Sequence, residues 1–476
     1  MVKGQKDQFN SRYGLVAAAL GMAIGAGNIW RFPRLAGQYG GSFLIPWFIF
    51  LFLWSIPLLI VEFSMGKNIR KGVIGAFKKA GGKNYTWMGV FISVVTTAIL
   101  FYYSVVTGWS LKFFLLSLSG ELLNLDYNVY WGQYTSSVYQ PLFFHVVSAF
   151  IASAVIYKGV SNGIEKFSKL IVPALYLLLI TAAIRAVTLP GAAEGLRYYF
   201  HFSWSELANY KVWLDGLSQS AWSTGAGWGL LLTYAVYAKK EVNIVENSIY
   251  TGLGNNIASL VAGLAVIPAV FTLSANTEAA QQALTAGNQG LAFITIPQIF
   301  SKMSGGAVFS DVFFLSLFFA ALSSMIAMLE LAVRVLMDFG LQRKKSVIII
   351  FVLIVIAGAP SAVSMDFFDN QDWVWGVGLL LSGFFFTIIA TKLDKEQFPI
   401  NKETLLFKFF FYVLLPFEFL SMLVWWLWQA VQWYPQSWWN PFERFSLGTC
   451  LLQWTALIVV SIVFMKKVNE ILERQG

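Results

Sequence analysis

The chain of 476 residues contains one cysteine, Cys450, so an intrachain disulfide is excluded. Its two histidines, His145 and His201, are too few for a histidine metal cluster, and nothing pairs a nucleophile with a base. An enzyme is therefore not expected. Charge is scarce as well: 12% of residues are Asp, Glu, Lys or Arg, against 57% hydrophobic. So little charge does not solvate the surface of a soluble protein of this length, and a polytopic membrane protein is the class this composition allows. Residues 1–11 are polar, with Lys3 and Lys6, and the first apolar run is long and interrupted, so no cleavable signal is expected.

What fills the chain is apolar runs of about 20 residues, the length that crosses a bilayer. Twelve are expected, at 12–36, 42–66, 87–118, 140–157, 167–189, 212–238, 242–273, 308–338, 344–363, 372–391, 405–431 and 446–466. They leave no room for a soluble domain, so 1–476 reads as one transmembrane domain. One side of the array collects Lys67, Arg70, Lys71, Lys78, Lys79, Lys83, Lys239, Lys240, Arg343, Lys344, Lys345 and a basic C-terminus. The other carries few cations, notably Arg185, Arg197, Lys211, Lys302 and Arg444. The positive-inside rule then places both termini in the cytoplasm, with the chain in the plasma membrane, or the inner membrane of a Gram-negative cell. The formal charge of +9 is mostly this topology signal, and no nucleic-acid partner is expected. Most of the 19 tryptophans and 43 phenylalanines are expected as interface anchors and lipid-facing bulk.

Two runs are broken. Gly21 to Pro33, GMAIGAGNIWRFP, interrupts the first with three glycines, an asparagine and an arginine, and Ser223-Thr-Gly-Ala-Gly-Trp228 interrupts the sixth. Irregular backbone at membrane depth is tolerated where it is buried in protein or lines a polar cavity, and paired broken helices in two halves of a chain point to a transporter's midplane site. The plain alternative is that these glycines only permit close helix packing. Opening the first helix between Ala23 and Gly27 frees backbone N–H groups at the start of its second half, where an anion such as a substrate carboxylate is favoured.

These residues resemble the neurotransmitter:sodium symporter family, in its bacterial branch that includes the leucine transporter. GAGNIWRFP, the Tyr39-Gly-Gly-Ser-Phe-Leu-Ile-Pro46 turn, Trp109 after Tyr102-Tyr103, Gln219 to Trp228, Asn255, and Phe319 to Ser324 match the family's pattern in order, from about residue 9 to 391. The resemblance implies an all-α membrane protein of twelve helices. Helices 1–5 (about 12–189) and 6–10 (about 212–391) form an inverted repeat with helices 1 and 6 unwound, and two extra helices lie at about 405–466. It also implies sodium-driven import of an amino acid by alternating access.

By resemblance, one sodium site takes the Ala23 carbonyl, the side chains of Asn28, Ser223 and Asn255, and the substrate carboxylate. The second takes the Gly21, Ile24 and Ala320 carbonyls with the hydroxyls of Ser323 and Ser324. Oxygen ligands suit a hard cation, and Ala320, Ser323 and Ser324 share one helical face; the alternative for the serines is bonding back to the preceding turn. The substrate pocket is expected from Ala23, Ala26, Gly27, Ile99, Tyr103, Trp222, Ser223, Gly225, Trp228, Ser324 and Met328, with Tyr103 closing over the carboxylate. Relatives that take decarboxylated amines carry an aspartate where this chain has Gly25, so the substrate brings its own carboxylate. Two indoles beside Gly225 point to a small to medium neutral amino acid.

Chloride-independent bacterial relatives place an acid where this chain has Ser259. Trp47, Gln219, Ser223, Asn255 and Ser259 then form a neutral donor cluster fit for chloride, although Trp47 stands where the family has a tyrosine and Asp215 offers an alternative counter-charge. Arg31 and Asp372, the latter at the start of helix ten, are expected to pair as an outer gate. Asp338 is expected in an inner gate with Lys6 or Arg12, buttressed by Tyr237, with Phe9 where a tryptophan is commoner. Glu62 and Asp215 are assigned structural hydrogen bonding ahead of transport. A channel of the same topology and a sodium-dependent amino-acid-sensing receptor stand as alternatives to transport.

Overall fold

The computed structural model describes residues 7–394 and 397–475. Among them every regular element is helical and no strand occurs. Apolar runs in lipid must satisfy their own backbone, and a helix does so within one segment. Ten helical stretches among the described residues are long and apolar enough to cross a membrane. Most keep the expected bounds, as with Thr86–Leu118, Tyr139–Tyr157, Ile244–Leu273, Gly306–Asp338 and Arg343–Val363. Their starts are set by short polar side chains: Ser11 accepts from the Gly14 N–H at 3.0 Å, Asn243 from Glu246 at 3.1 Å and Ser446 from Thr449 at 3.0 Å.

One start differs from expectation. The helix expected over 372–391 spans Met365–Ala390, because Ser364 caps it by accepting from the Phe367 N–H at 3.2 Å. Asp366 and Asp369 fall in the helix's first turns, where acids are favourable. Asp372 is therefore about two turns inside the helix rather than at its start.

Both interrupted runs are interrupted in the structure. Arg12–Ala23 stops, Ile24 and Gly25 are extended, and the chain turns helical again over Ala26–Ile29 and Arg31–Tyr39. Tyr210–Ser223 stops likewise, and helix resumes at Leu230–Ala235. Between them Gly225, Gly227 and Gly229 have φ of +68°, +87° and +80°, a region open to glycine at little cost. At Gly227 a Cβ would fall 2.6 Å from the Gly383 Cα, so two backbones meet there with no room for a side chain. The two 33-residue helices Thr86–Leu118 and Gly306–Asp338, each about 50 Å long at 1.5 Å per residue, pack together and against the breaks.

Candidate substrate and ion site

The two breaks open onto one cavity of about 640 Å³. Of the expected pocket residues, Ala23, Gly27, Ile99, Tyr103, Trp222, Ser223, Gly225, Trp228, Ser324 and Met328 all line it. Ala26 does not; it is buried, and its N–H donates to the Tyr103 hydroxyl oxygen at 3.0 Å. Tyr103 is thereby fixed over the first break with its own proton left to donate. The Gly25 N–H donates to Asn28 Oδ1 at 2.9 Å. A Cβ on Gly25 would lie 2.9 Å from Ser324 Oγ and 3.1 Å from Tyr103 Oη, so those hydroxyls occupy the space an aspartate would need.

Beside the cavity, oxygens converge. Asn255 Oδ1 accepts from Asn28 Nδ2 at 2.7 Å, and the same oxygen lies 3.0 Å from the Ser223 carbonyl oxygen and 3.1 Å from that of Ala23. Turning the Asn255 amide over would convert both contacts into N–H···O bonds. It would also set its NH₂ 2.7 Å from that of Asn28, and turning Asn28 in response would strip the Gly25 N–H of its acceptor. In the oxygen-facing orientation Asn28 Nδ2 and the Gly25 N–H both keep their acceptors, and an amide oxygen set close to two carbonyl oxygens is an arrangement that a hard cation relieves.

A second cluster lies on Gly306–Asp338. Ser323 Oγ donates to the Ala320 carbonyl at 3.0 Å, the back-bond expected of a serine in a membrane helix. Ser324 instead donates across to the Met22 carbonyl at 3.1 Å. A Cβ on Gly21 would be 3.3 Å from Ser323 Cβ, so the backbone before the first break rests on this serine pair, with Ile24 fully buried.

The donor cluster is partly unpartnered. Trp47 Nε1 and Gln219 Nε2 are buried without hydrogen-bond partners. Ser259 Oγ accepts from Asn28 Nδ2 at 2.8 Å and donates to the Asn255 carbonyl at 3.3 Å, so its hydroxyl is already committed. The Trp47 ring packs against Phe32, centroids 4.6 Å apart.

The second break is held from outside the cavity. Glu62, fully buried, accepts from the Gly227 N–H at 2.6 Å and the Leu232 N–H at 3.1 Å. A carboxylate there satisfies backbone donors that the opened helix leaves free. Thr224 Oγ1 donates to Ser55 Oγ at 3.0 Å, and Thr96 Oγ1 to the Trp228 carbonyl at 2.9 Å. Asp215 accepts from the Tyr39 hydroxyl at 2.7 Å.

The sequence pattern of the sodium:neurotransmitter symporter family matches residues 6–141 and 137–471. The chain belongs to this family. An uncharacterized sodium-dependent transporter of Methanocaldococcus jannaschii is 33% identical over 418 residues, 84% of this chain and 85% of its own. One of Bacillus subtilis is 31% identical over 411 residues, 82% and 89% of the two chains. Among solved structures, that of MhsT in complex with L-phenylalanine superposes with a TM-score of 0.78 at 28% identity, covering 88% of this chain and 99% of that one. This symporter is thus a multi-pass, sodium-dependent membrane transporter rather than an enzyme.

Its outer and inner charges depart from the expected pairs. Arg31 and Asp372 both line the cavity but form no ion pair. Arg31 instead donates to Gln219 Oε1 at 3.1 Å and Ser218 Oγ at 2.8 Å, with its guanidinium 4.0 Å from the Trp222 ring centroid. The cavity continues past both to Arg34, Asn288, Asp369, Trp433 and Phe445. Hydrogen bonds and a cation–π contact thus hold the Arg31 guanidinium in place of the expected ion pair.

Below the cavity, Lys6 lies outside the described residues. Arg12 pairs with Glu246 rather than with Asp338. Asp338 pairs with Arg334, one turn back on its own helix, at 2.7 Å, and accepts from the Gly72 N–H at 2.5 Å. Of the expected members, Tyr237 is in the cluster found here, together with Arg343, Glu330 and Asp7, which the sequence did not single out as gate members. Arg343 pairs with Glu330 at 2.7 Å and with Asp7 at 2.8 Å, and Tyr237 donates to Glu330 at 2.6 Å. Phe9 is 1% exposed, donates its N–H to the Tyr237 carbonyl at 3.1 Å and packs edge-on against Tyr234. Glu330, about two turns past the serine pair on an apolar helix, is the sequence signal that could have found this cluster.

Proposed function

We propose that the chain imports a neutral L-amino acid together with sodium by alternating access. In this reading the two interrupted runs join the ten long apolar stretches as spans of one 1–476 domain. Twelve helices result, with inverted repeats over about 12–189 and 212–391 and two additional helices over about 405–466. Both termini are cytoplasmic, and the membrane is the plasma membrane or, in a Gram-negative cell, the inner one.

The single observation that carries the proposal is that both helix breaks end on one cavity beside converging, cation-compatible oxygens. The substrate carboxylate accepts a hydrogen bond from the Tyr103 hydroxyl, sits at the first break's N–H end, and completes a sodium site with Ala23, Asn28, Ser223 and Asn255. Gly21, Ile24, Ala320, Ser323 and Ser324 hold a second sodium. Joint liganding makes each bound species raise the affinity of the other, which is what coupled transport requires. The side chain is bounded by Ile99, Trp222, Gly225, Trp228, Ser324 and Met328. L-phenylalanine bound to MhsT supports an amino acid here, since the two folds match over 88% of this chain. Chloride is the co-ion, and the unpartnered Trp47 and Gln219 donors support it.

The test is uptake of each of the twenty amino acids into proteoliposomes with an imposed sodium gradient. Saturable, sodium-dependent accumulation of neutral ones is expected. Ion flux without saturation would favour a channel, and binding without accumulation a receptor.

A further inference from the structure

Glu418 is an acid that neither the substrate site nor the gates use. It lies near the middle of the 29-residue apolar stretch Leu405–Trp433, whose one other charged residue, Lys408, is exposed and pairs with Glu403. Glu418 is 3% exposed, and among the described residues neither carboxyl oxygen has a hydrogen-bond partner. Its companions at helical spacing, Leu415, Phe419 and Met422, are equally buried, so this face is turned into the protein.

The elements packed against this face are Met365–Ala390, Tyr210–Ser223, Leu51–Ser55, Phe410–Leu414 and Leu447–Arg474. Their titratable groups are Asp366, Asp369 and Asp372, then Tyr210, Lys211 and Asp215, then Tyr412, and on the last helix Cys450, Lys466, Lys467, Glu470, Glu473 and Arg474. None forms a hydrogen bond or ion pair with Glu418. Asp366 and Asp369 engage Arg444, Asp215 engages Tyr39, and Glu473 engages Lys78 and Lys83. A buried carboxylate without a partner costs several kcal/mol or more, about the range in which such a group takes up a proton instead. A metal cation would need several oxygens, and Leu415, Phe419 and Met422 supply none.

The site has a route to the second break. Phe419 stacks on Phe384, centroids 4.3 Å apart and planes within 5°. Phe384 follows Gly383, the residue in backbone contact with Gly227, and the Trp54 indole packs close to Gly383. About two turns past Glu418, Trp426 lines the cavity and packs on Trp222 at 5.4 Å. A charge created at Glu418 draws water into the layer that holds Gly227 in place.

We infer that Glu418 is a proton-binding site, and that its ionisation loosens the Phe384–Gly383 layer against the second break and so slows transport in alkaline medium. The first test needs no substrate: infrared difference spectra of the purified full chain in lipid nanodiscs, between near-neutral and alkaline buffer. Wild type is expected to lose a protonated-carboxyl C=O band that Glu418→Gln lacks at both pH values and Glu418→Asp retains at a shifted position. Superimposable spectra of wild type and Glu418→Gln would overturn the site. The second test is sodium-driven uptake against pH, expected to fall on alkalinisation in wild type and to lose that fall in Glu418→Gln. A lost band with an unchanged uptake profile would overturn the link to transport. A failed amino-acid screen leaves the infrared result standing, so the two proposals fail separately.

Discussion

Arg31 and Asp372 line one cavity without pairing: the guanidinium stands 4.0 Å from the Trp222 ring centroid and donates to Ser218 and Gln219. In the proposed alternating-access cycle the two pair when the outer side closes. Asp372→Asn and Arg31→Ala are expected to lower uptake at least about tenfold, the scale of one lost charge-assisted bond, while equilibrium binding changes much less. Uptake and binding falling in parallel would make these residues part of the pocket instead of a gate.

Asn28 joins Gly25, Asn255 and Ser259 in one network, and Ser323 and Ser324 anchor the backbone before the first break. Asn28→Ala, and Ser323→Ala combined with Ser324→Ala, are each expected to raise the half-saturating sodium concentration about ten- to a hundredfold, as for 1.5–3 kcal/mol of lost liganding. Sodium titration of binding, with size-exclusion profiles as the folding control, checks this. Unchanged sodium dependence would remove the assignment of both clusters.

Trp222 and Trp228 bound the cavity in different ways. Trp222 Nε1 donates to the Gly376 carbonyl at 3.1 Å, whereas Trp228 Nε1 is buried without a partner. Trp228→Phe is therefore expected to leave thermal stability near wild type, and Trp222→Phe to cost about 1 kcal/mol. Both are expected to admit larger side chains, read from competition by a graded amino-acid series. An unchanged size limit in both variants would exclude the indoles as its determinants.

Replacing chloride by gluconate is expected to lower sodium-coupled uptake, and Ser259→Glu to restore it by supplying a fixed negative charge near Asn28 and Asn255. Ser259 Oγ already accepts from Asn28 Nδ2, a bond the new carboxylate could also accept. Equal wild-type rates in the two anions would refute chloride coupling.

The two breaks were legible in the sequence because Gly21 to Gly27 and Ser223 to Gly229 conflict with what lipid permits, and conflict of that kind is visible in one dimension. The pocket residues Ile99, Tyr103, Ser324 and Met328 came from the family resemblance, on helices whose bounds hydropathy sets to within a few residues. Partner choice among charges was not legible. Asp338 found Arg334 one turn back, and Arg343 gathered Asp7, Glu330 and Tyr237 from segments far apart in the chain. Hydropathy carries no information on which helix ends meet. Hydropathy did not show that Phe9 and Trp47 are buried, because a buried aromatic and a lipid-facing one look alike in a run of apolar residues; only the family resemblance singled them out.

The central claim is that the substrate carboxylate and a sodium ion meet at the first break, beside Gly25. Equilibrium binding of the best-transported amino acid, measured on purified protein with and without sodium and against its decarboxylated amine, tests this most directly. The account predicts that binding requires sodium and that the amine does not compete. Binding of equal strength without sodium, or competition by the amine near the parent's own affinity, would contradict it.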